Sequence, residues 1–454
     1  MFPRGAWSGG AWNRESASRM PVRLLCLGDI HLGRVPGKIP GGSDAARSYS
    51  PVAAFGNAVE WALDNAVDAV LLAGDVVDNN RDRFEGLPVL AEGAKKLSDA
   101  GIKIIAVAGN HDVEALPRLL KRVPAIKHLG ADGKWESVEI DGGDGTTVDI
   151  LGWSFPRGGN GYCRENPLDS LDASDFPQNA IGLLHANLDA SGSPYAPVRR
   201  AELEAVPVSA WLLGHIHKPD ALSSMKRPIG YLGSICGLDP GEPGARGAWL
   251  ATVHSGGAVE MERVPIAPIR WEQIEIDALD LGLSDSSGID DAKDAVAASA
   301  SAAAKELAKR ISEELGSEKA VGCRIRVSGR SPASANIRAV VLEDPEWIPP
   351  ETVDGVDYFV EKTLCSVRPE LDVEVLSKGV DAVALLARRI LALEKGGDAA
   401  AGMIRGFRGR ISSLHPGMRP AGDDDDTLRE RMLEGGYEAL DALVADAESG
   451  GGVG

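Results

Sequence analysis

Five times between residues 24 and 217 an apolar run stops at a short cluster of Gly, Asp, Asn and His. The first is LLCLGDIHLGR at residues 24–34; the others are GDVVD (74–78), GNHD (109–112), LLHAN (183–187) and GHIH (214–217). Each apolar run reads as a buried strand. The carboxyl ends of such strands are where open α/β sheets present ligand-binding side chains. A Gly-Asp or Gly-Asn pair alone is an ordinary turn signal. Five of the eight histidines, however, fall inside these stretches: His31, His111, His185, His215 and His217. That concentration favours one shared site over five unrelated turns.

From residue 22 to about 266 strand-like and helix-like patterns alternate. Ser50 followed by Pro51 reads as a helix start. Gly101 reads as the C-cap of a helix over 87–100. A short helix is expected over 116–122, a hairpin over 135–155 turning through 141–143, and strands over 231–236 and 247–254. The fold expected is α/β (α+β): a two-sheet β-sandwich flanked by helices, with the polar clusters at one end. Residues 1–20, rich in Gly, Ser, Arg and Trp, read as a disordered extension, and 21–267 as the sandwich domain. A small α+β cap domain is expected over 268–378. It has strands over 269–279, 320–327 and 337–342, and an Ala-rich helix over 290–315. A helical region covers 379–454, with helices over 381–393 and 427–447, a flexible linker over 395–402, and a tail over 448–454 expected to be disordered.

A length of 454 residues implies more than one core. The net charge of −19 argues against a generally basic nucleic-acid-binding surface, though not against a local basic groove. The five scattered cysteines form no C-x-x-C pair and read as buried free thiols in a reducing cytoplasm. No apolar run reaches membrane-spanning length, and the N-terminus lacks the apolar core of a secretory signal.

Taken in order, the five clusters resemble the calcineurin-like metallophosphoesterase superfamily. The resemblance implies two divalent cations, most consistent with Mn, with Fe or Zn as the other choices for a mixed oxygen and nitrogen donor set. Carried over residue by residue, it gives Asp29, His31 and His217 to one ion and Asn110, His185 and His215 to the other, with Asp75 bridging. His111 then stands beside a ligand as the general acid or transition-state stabiliser. Asp78 and Asp112 would orient ligands, and a water held between the ions would be the nucleophile. His128, His254 and His415 read as surface or packing residues.

Within the superfamily, the length, the opening GDIHLGR, the cap-like region and VRPELDV at 367–373 resemble the DNA-repair exonuclease branch, the SbcD and YhaO-like nuclease subunits. That implies DNA as substrate, C-terminal helices docking on an SbcC-like coiled-coil ATPase, and a possible homodimer. One departure stands out: Asp78 occupies a place where the nuclease subunits often carry a histidine. Arg324, Arg326 and Arg330, with Arg338 nearby, are candidate DNA contacts on a strand face, and a solvated face is an equal reading. Arg405, Arg408 and Arg410 around Phe407 read as a basic linker. Leu428, Met432, Tyr437, Leu440 and Leu443 form an apolar stripe on the last helix. Two other functions stay open: a phosphodiesterase or phosphatase acting on a nucleotide or other small phosphoester, and a non-catalytic scaffold for an ATPase.

Overall fold

The computed structural model describes residues 21–37, 39, 46–78, 83–142, 145–172, 179–414 and 425–450. The extension over 1–20, the end of the turn at 143, His415 and residues 451–454 of the tail lie outside them. Strands run in chain order: β1 (Val22–Leu27), β2 (Ala69–Ala73), β3 (Lys103–Val107), β4 (Ile126–His128), β5 (Glu136–Asp141), β6 (Thr147–Trp153), β7 (Ala180–His185), β8 (Asn187–Leu188), β9 (Pro197–Val198), β10 (Ala210–Gly214), β11 (Ile229–Tyr231), β12 (Ala248–Val253), β13 (Val259–Val264), β14 (Ile269–Asp277), β15 (Ala320–Ser331), β16 (Glu351–Val353) and β17 (Val356–Pro369). The chain divides into two compact units: Met1–Ile274, Ser301–Arg324 and Glu346–Lys362 form the first, and Glu275–Ala300, Ile325–Pro345 and Thr363–Gly454 the second.

The first unit holds two mixed sheets, in the orders β13-β12-β1-β2-β3-β4 and β11-β10-β7-β6-β5. β1 to β4 are mutually parallel, as are β6, β7, β10 and β11; β12 runs antiparallel to both β1 and β13, and β5 antiparallel to β6. The central strands β1, β2, β7 and β10 are apolar because both faces of each sheet are covered there, while the edge strands β5 and β13 alternate with exposed acids. In β1, Leu24 and Cys26 join Leu71, Val107, Ile150, Leu183 and Leu212 in one core. Leu25 and Leu27 face the other way, onto Phe55 and Val59 of helix α1 (Pro51–Asp64) and Leu90 and Leu97 of α2 (Arg83–Asp99). This period-two division follows from strand geometry. Ser50 does precede α1 with Pro51 at its first turn, but its hydroxyl donates to the Arg47 carbonyl rather than capping the helix. α2 ends as expected: Gly101 takes φ +79°, and Ile102 donates back to the Leu97 carbonyl. The remaining helices here are short, α3 (Leu116–Leu120) and α4 (Arg200–Ala205). Trp211 of β10 packs on the outer face of the second sheet with Leu203 of α4.

Beyond Ala267 a third sheet has the order β14-β15-β17-β16. Helix α5 (Ile289–Ile311) lies between β14 and β15 in sequence. The strand expected over 337–342 is instead part of helix α6 (Ser334–Val341). Ile337, Val340 and Val341 are its buried residues, a helical i, i+3, i+4 spacing that β-branched side chains disguise. The hairpin β16–β17 escaped the reading of the sequence. Its turn residues, Asp354 and Gly355, sit at φ +51° and +81°, the Asp-Gly signature of a two-residue hairpin loop.

The second unit ends in helices α7 (Val373–Leu376), α8 (Ala382–Lys395), α9 (Gly397–Leu414) and α10 (Asp425–Gly450). The linker expected over 395–402 is therefore a two-glycine break, Gly396 and Gly397 at φ +71° and +75°, and the basic segment with Arg405, Arg408 and Arg410 is helical. Ala387 and Ile390 of α8 pack on Leu440 of α10, with Leu433 and Tyr437 beside them. The apolar stripe of the last helix thus serves its own domain. Four cysteines are buried free thiols, as expected, and Cys365 is half-buried. Among the described residues no helix is long and apolar enough to cross a membrane.

Candidate metal centre

All five polar clusters follow the carboxyl ends of parallel strands: β1, β2 and β3 in one sheet, β7 and β10 in the other. The turns there are strained. Asp29, His31, Asp75 and His215, none of them glycine, have φ of +40°, +50°, +49° and +109°. Such conformations cost about 1–3 kcal/mol each and persist where the surroundings enforce them, typically at functional sites. The glycines of the motifs make room. A Cβ on Gly109 would stand 2.1 Å from Asp75 Oδ1, one on Gly74 2.5 Å from His185 Nδ1, and one on Gly214 2.1 Å from the Ala73 carbonyl oxygen.

The side chains converge as two groups of donors. His31 Nε2 and His217 Nε2 stand 3.1 Å apart. Asn110 Oδ1 lies 3.0 Å from His185 Nε2 and 3.1 Å from His215 Nδ1. Two donors about 2.1 Å from one cation, at right angles, are themselves about 3 Å apart. Asp75 reaches toward both groups, with Oδ2 3.4 Å from His185 Nε2 and 4.0 Å from His31 Nε2. Asp29, His31 and His217 offer ligand atoms that all lie within 4.8 Å of one another, and so do Asp29, Asp75 and His185. Asp29 and Asp75 are buried, and the charged groups acting on Asp29 are Asp75 and imidazoles. Two carboxylates held out of water this way fit a cation, which offsets the cost of burying them. The donors that could hold metal are therefore Asp29, His31, Asp75, Asn110, His185, His215 and His217, all seven singled out in the sequence.

A supporting layer fixes these groups. Asp78 Oδ1 lies 2.9 Å from His31 Nδ1. That close contact, with the nearby charges of His31, Arg34 and His111, outweighs burial and holds the Asp78 carboxyl down to about 2. His185 Nδ1 is 3.0 Å from the Ala73 carbonyl oxygen, which leaves Nε2 for the centre. Burial, and His185 beside it, push His215 down to about 4, so its ring stays neutral with a lone pair to give. The His215 amide donates to both oxygens of Asp29, at 3.0 and 3.1 Å. Asp112 is fully buried and accepts from the Gly109 and Val76 amides at 2.8 and 2.7 Å, tying the second and third strand ends together.

His111 differs from the seven. Its side chain is 45% exposed, and its ring stands edge-on to His31 with centroids 5.2 Å apart. Its amide donates to Asp75 Oδ1 at 2.9 Å, while Nδ1 lies 3.1 Å from the Asp78 carbonyl oxygen. His31, Asp78 and His111 also offer ligand atoms within 4.8 Å of one another. His128 bonds Ser154 Oγ at 3.1 Å and His254 lies 3.2 Å from Glu260, both away from the donors.

The candidate DNA-contacting arginines each have acidic or carbonyl partners within the chain. Arg324 makes two bonds to Glu361 Oε2, at 3.0 and 2.9 Å. Arg326 faces Glu275 at 3.4 Å. Arg330 donates to the Pro369 carbonyl at 2.6 Å, lies 3.6 Å from Asp441 and sits over the Tyr437 ring. The sequence also left one partner unfound. Glu242 Oε1 is 2.6 Å from His217 Nδ1, from within a Gly/Pro-rich turn whose composition carries no ligand signal. Tyr195 likewise stands 5.1 Å from His215 between ring centroids, with Tyr162 beside it at 5.6 Å.

Residues 22–219 match the family model described as calcineurin-like phosphoesterase. Among curated proteins, the chain is 25% identical over 249 residues to "Uncharacterized metallophosphoesterase YhaO" of Bacillus subtilis, covering 50% of this chain and 55% of that one. It is 27% identical over 274 residues to "DNA double-strand break repair protein Mre11" of Aeropyrum pernix, covering 57% and 64%. A protein of the same name from Methanopyrus kandleri is 23% identical over 270 residues, covering 54% and 57%. The chain thus spans less than two thirds of the length of each of these relatives. Residues 22–219, somewhat under half of the chain, thus carry a calcineurin-like phosphoesterase domain, and the candidate donors lie at its strand ends.

Proposed function

We propose that the chain hydrolyses phosphodiester bonds in DNA, using two divalent cations, with Mn the first candidate and Fe or Zn the others. The observation that carries the hydrolytic reading is the pair of donor groups at the strand ends, bridged by Asp75. Support for DNA as the substrate comes from the relatives named for double-strand break repair. An SbcC-like ATPase as partner, with docking through the C-terminal helices, belongs to the same reading.

Two divalent cations bound there supply positive charge for the phosphoryl group and activate water. The chain's own residues do the rest. Asp29, Asp75 and the imidazoles fix where the phosphate lies. Asp78 and the Ala73 carbonyl hold His31 and His185 in the tautomer that turns Nε2 inward. His111, half-exposed at the rim with Nδ1 toward Asp78, can deliver a proton from Nε2 to the leaving oxygen.

A second reading, a phosphodiesterase or phosphatase acting on a nucleotide or other small phosphoester, is favoured by two observations. Asp78 stands where nuclease subunits often carry histidine, and Arg324 is paired with the buried Glu361 and Arg326 with the exposed Glu275. The test is Mn-dependent hydrolysis of an end-labelled duplex, a DNA hairpin, bis-p-nitrophenyl phosphate and a cyclic nucleotide, each with wild type and His111→Ala. Loss of DNA cleavage in the variant supports the nuclease. Turnover of the small diesters alone selects the second reading.

A further inference from the structure

We propose that Glu242 is a positioning residue for the metal ligand His217, and that the loop carrying it is anchored on Trp271 of the third sheet; this rests on the metal-dependent reading above. In the structure, Glu242 Oε1 lies 2.6 Å from His217 Nδ1, and His217 Nε2 lies 3.1 Å from His31 Nε2. An imidazole that donates its Nδ1 proton to a carboxylate presents an Nε2 lone pair in a fixed direction and is the stronger ligand for it. On the other side His31 Nδ1 lies 2.9 Å from Asp78 Oδ1. Two carboxylate–imidazole pairs therefore converge on one cation position. The first grows out of the GDVVD motif. The second comes from a turn more than twenty residues beyond the last motif.

What holds Glu242 in place is its own loop. Its second oxygen, Oε2, accepts from the Leu238 amide at 3.1 Å, and its amide donates to the Asp239 carbonyl at 2.8 Å. Both ends of the loop are tied to Trp271, which is buried in β14. The indole Nε1 donates to the Gly237 carbonyl at 3.1 Å, and the Gly244 amide donates to the Trp271 carbonyl at 2.8 Å. Gly237 lies so close that a Cβ there would be 2.6 Å from the ring. On its other side the ring packs on Phe359 of β17, and a Cβ on Gly322 of β15 would be 2.1 Å from it. A chain of packed and hydrogen-bonded groups therefore runs from the third sheet to a ligand nitrogen.

The test is titration of the metal-free full chain with Mn²⁺ alone, by calorimetry, on wild type, Glu242→Ala, Glu242→Gln and Trp271→Phe. The expected result is two sites in wild type. In Glu242→Ala one of the two is weakened about 10- to 100-fold and the other keeps its affinity. Glu242→Gln, which can still accept from Nδ1, recovers part of the loss. Trp271→Phe, which removes the indole donor together with part of the ring packed on Gly237 and Gly322, shows a smaller loss at that same site. The melting temperatures of the metal-free Glu242 variants stay within a few degrees of wild type, which separates positioning from a general packing role. Unchanged affinity at both sites in Glu242→Ala overturns the proposal for Glu242, and equal weakening of both sites overturns it too. An unchanged Trp271→Phe overturns the anchorage. Wild type that binds no Mn²⁺ overturns the metal-dependent reading itself, a result distinct from the others.

Discussion

Charged residues are handled in opposite ways by the first two sheets and by the sheet beyond Ala267. At the ends of β1, β2, β7 and β10, carboxylates and imidazoles are buried within reach of one another, on backbone bent into left-handed conformations. No lysine or arginine is ion-paired to Asp29 or Asp75 there among the described interactions; their neighbours are imidazoles and each other. In the later sheet and helices, opposite charges meet as neutral pairs: Arg324 with Glu361, Arg326 with Glu275, Lys293 with Glu343, Arg330 with Asp441. The first arrangement is unstable as a set of bare charges and is explained by a cation; the second is complete in itself. The difference marks which polar residues carry chemistry.

Breaking the first arrangement at its centre has the largest effect. Asp75→Asn removes a carboxylate that faces both donor groups. Phosphodiester hydrolysis falls at least about 10³-fold, the equivalent of some 4 kcal/mol of transition-state stabilisation, and the bound metal, counted by plasma emission, drops below two per chain. Gly109→Ala comes next. The added Cβ collides with Asp75 Oδ1 and with the Asp75 amide nitrogen, 2.7 Å away. Thermal unfolding should show a loss of about 3 kcal/mol, together with loss of activity. Gly101→Ala is the control: it strains a φ of +79° in open space, costs about 1 kcal/mol and leaves turnover intact.

Arg324→Ala sharpens the contrast from the other side. Glu361 is 3% exposed and loses this arginine, while the arginine itself is a quarter exposed. Denaturant unfolding should record a loss of about 2 kcal/mol with the turnover of small diesters unchanged. Arg326→Ala, at an exposed pair, should cost less than about 1 kcal/mol. A fall in DNA cleavage with unchanged stability in either variant would instead make these arginines part of the substrate path.

The smallest effect concerns Glu318. Burial raises its pKa, and the amide bond from Gly316 and the charges of Arg270 and Arg263 offset this only in part. A carboxyl raised in the folded state binds more protons folded than unfolded, so stability falls as pH climbs from the unfolded pKa through the folded one. Glu318→Gln removes that penalty. Its melting temperature should exceed wild type at neutral pH, and the gain should vanish near about pH 4, where the wild-type carboxyl is protonated in both states.

The candidate centre stands out in the sequence because its stretches repeat one grammar, an apolar strand ending in a polar cluster, usually opened by glycine, and the structure brings those strand ends together. The two-sheet sandwich was expected from the same runs; which strands pair in parallel was not. Glu242 was not legible, because a lone acid in a Gly/Pro turn resembles any solvated loop, and only the folded chain brings it to His217. Helix α6 was misread because Ile337, Val340 and Val341 satisfy strand propensity as well as helical spacing. The β16–β17 hairpin was available in Asp354-Gly355, a turn signal hidden between residues that looked like loop. The two-glycine break at Gly396 and Gly397 was taken for a longer linker because glycine and alanine composition does not distinguish a flexible segment from a helix that restarts at once.

The measurement that bears most directly on the centre is anomalous diffraction from crystals of the full chain soaked in Mn²⁺. Two peaks about 3.5–4 Å apart are expected. One should touch Asp29, His31 and His217, the other Asn110, His185 and His215, with Asp75 on both. A single ion held by His31, Asp78 and His111, or no ion among the seven donors, would contradict the account.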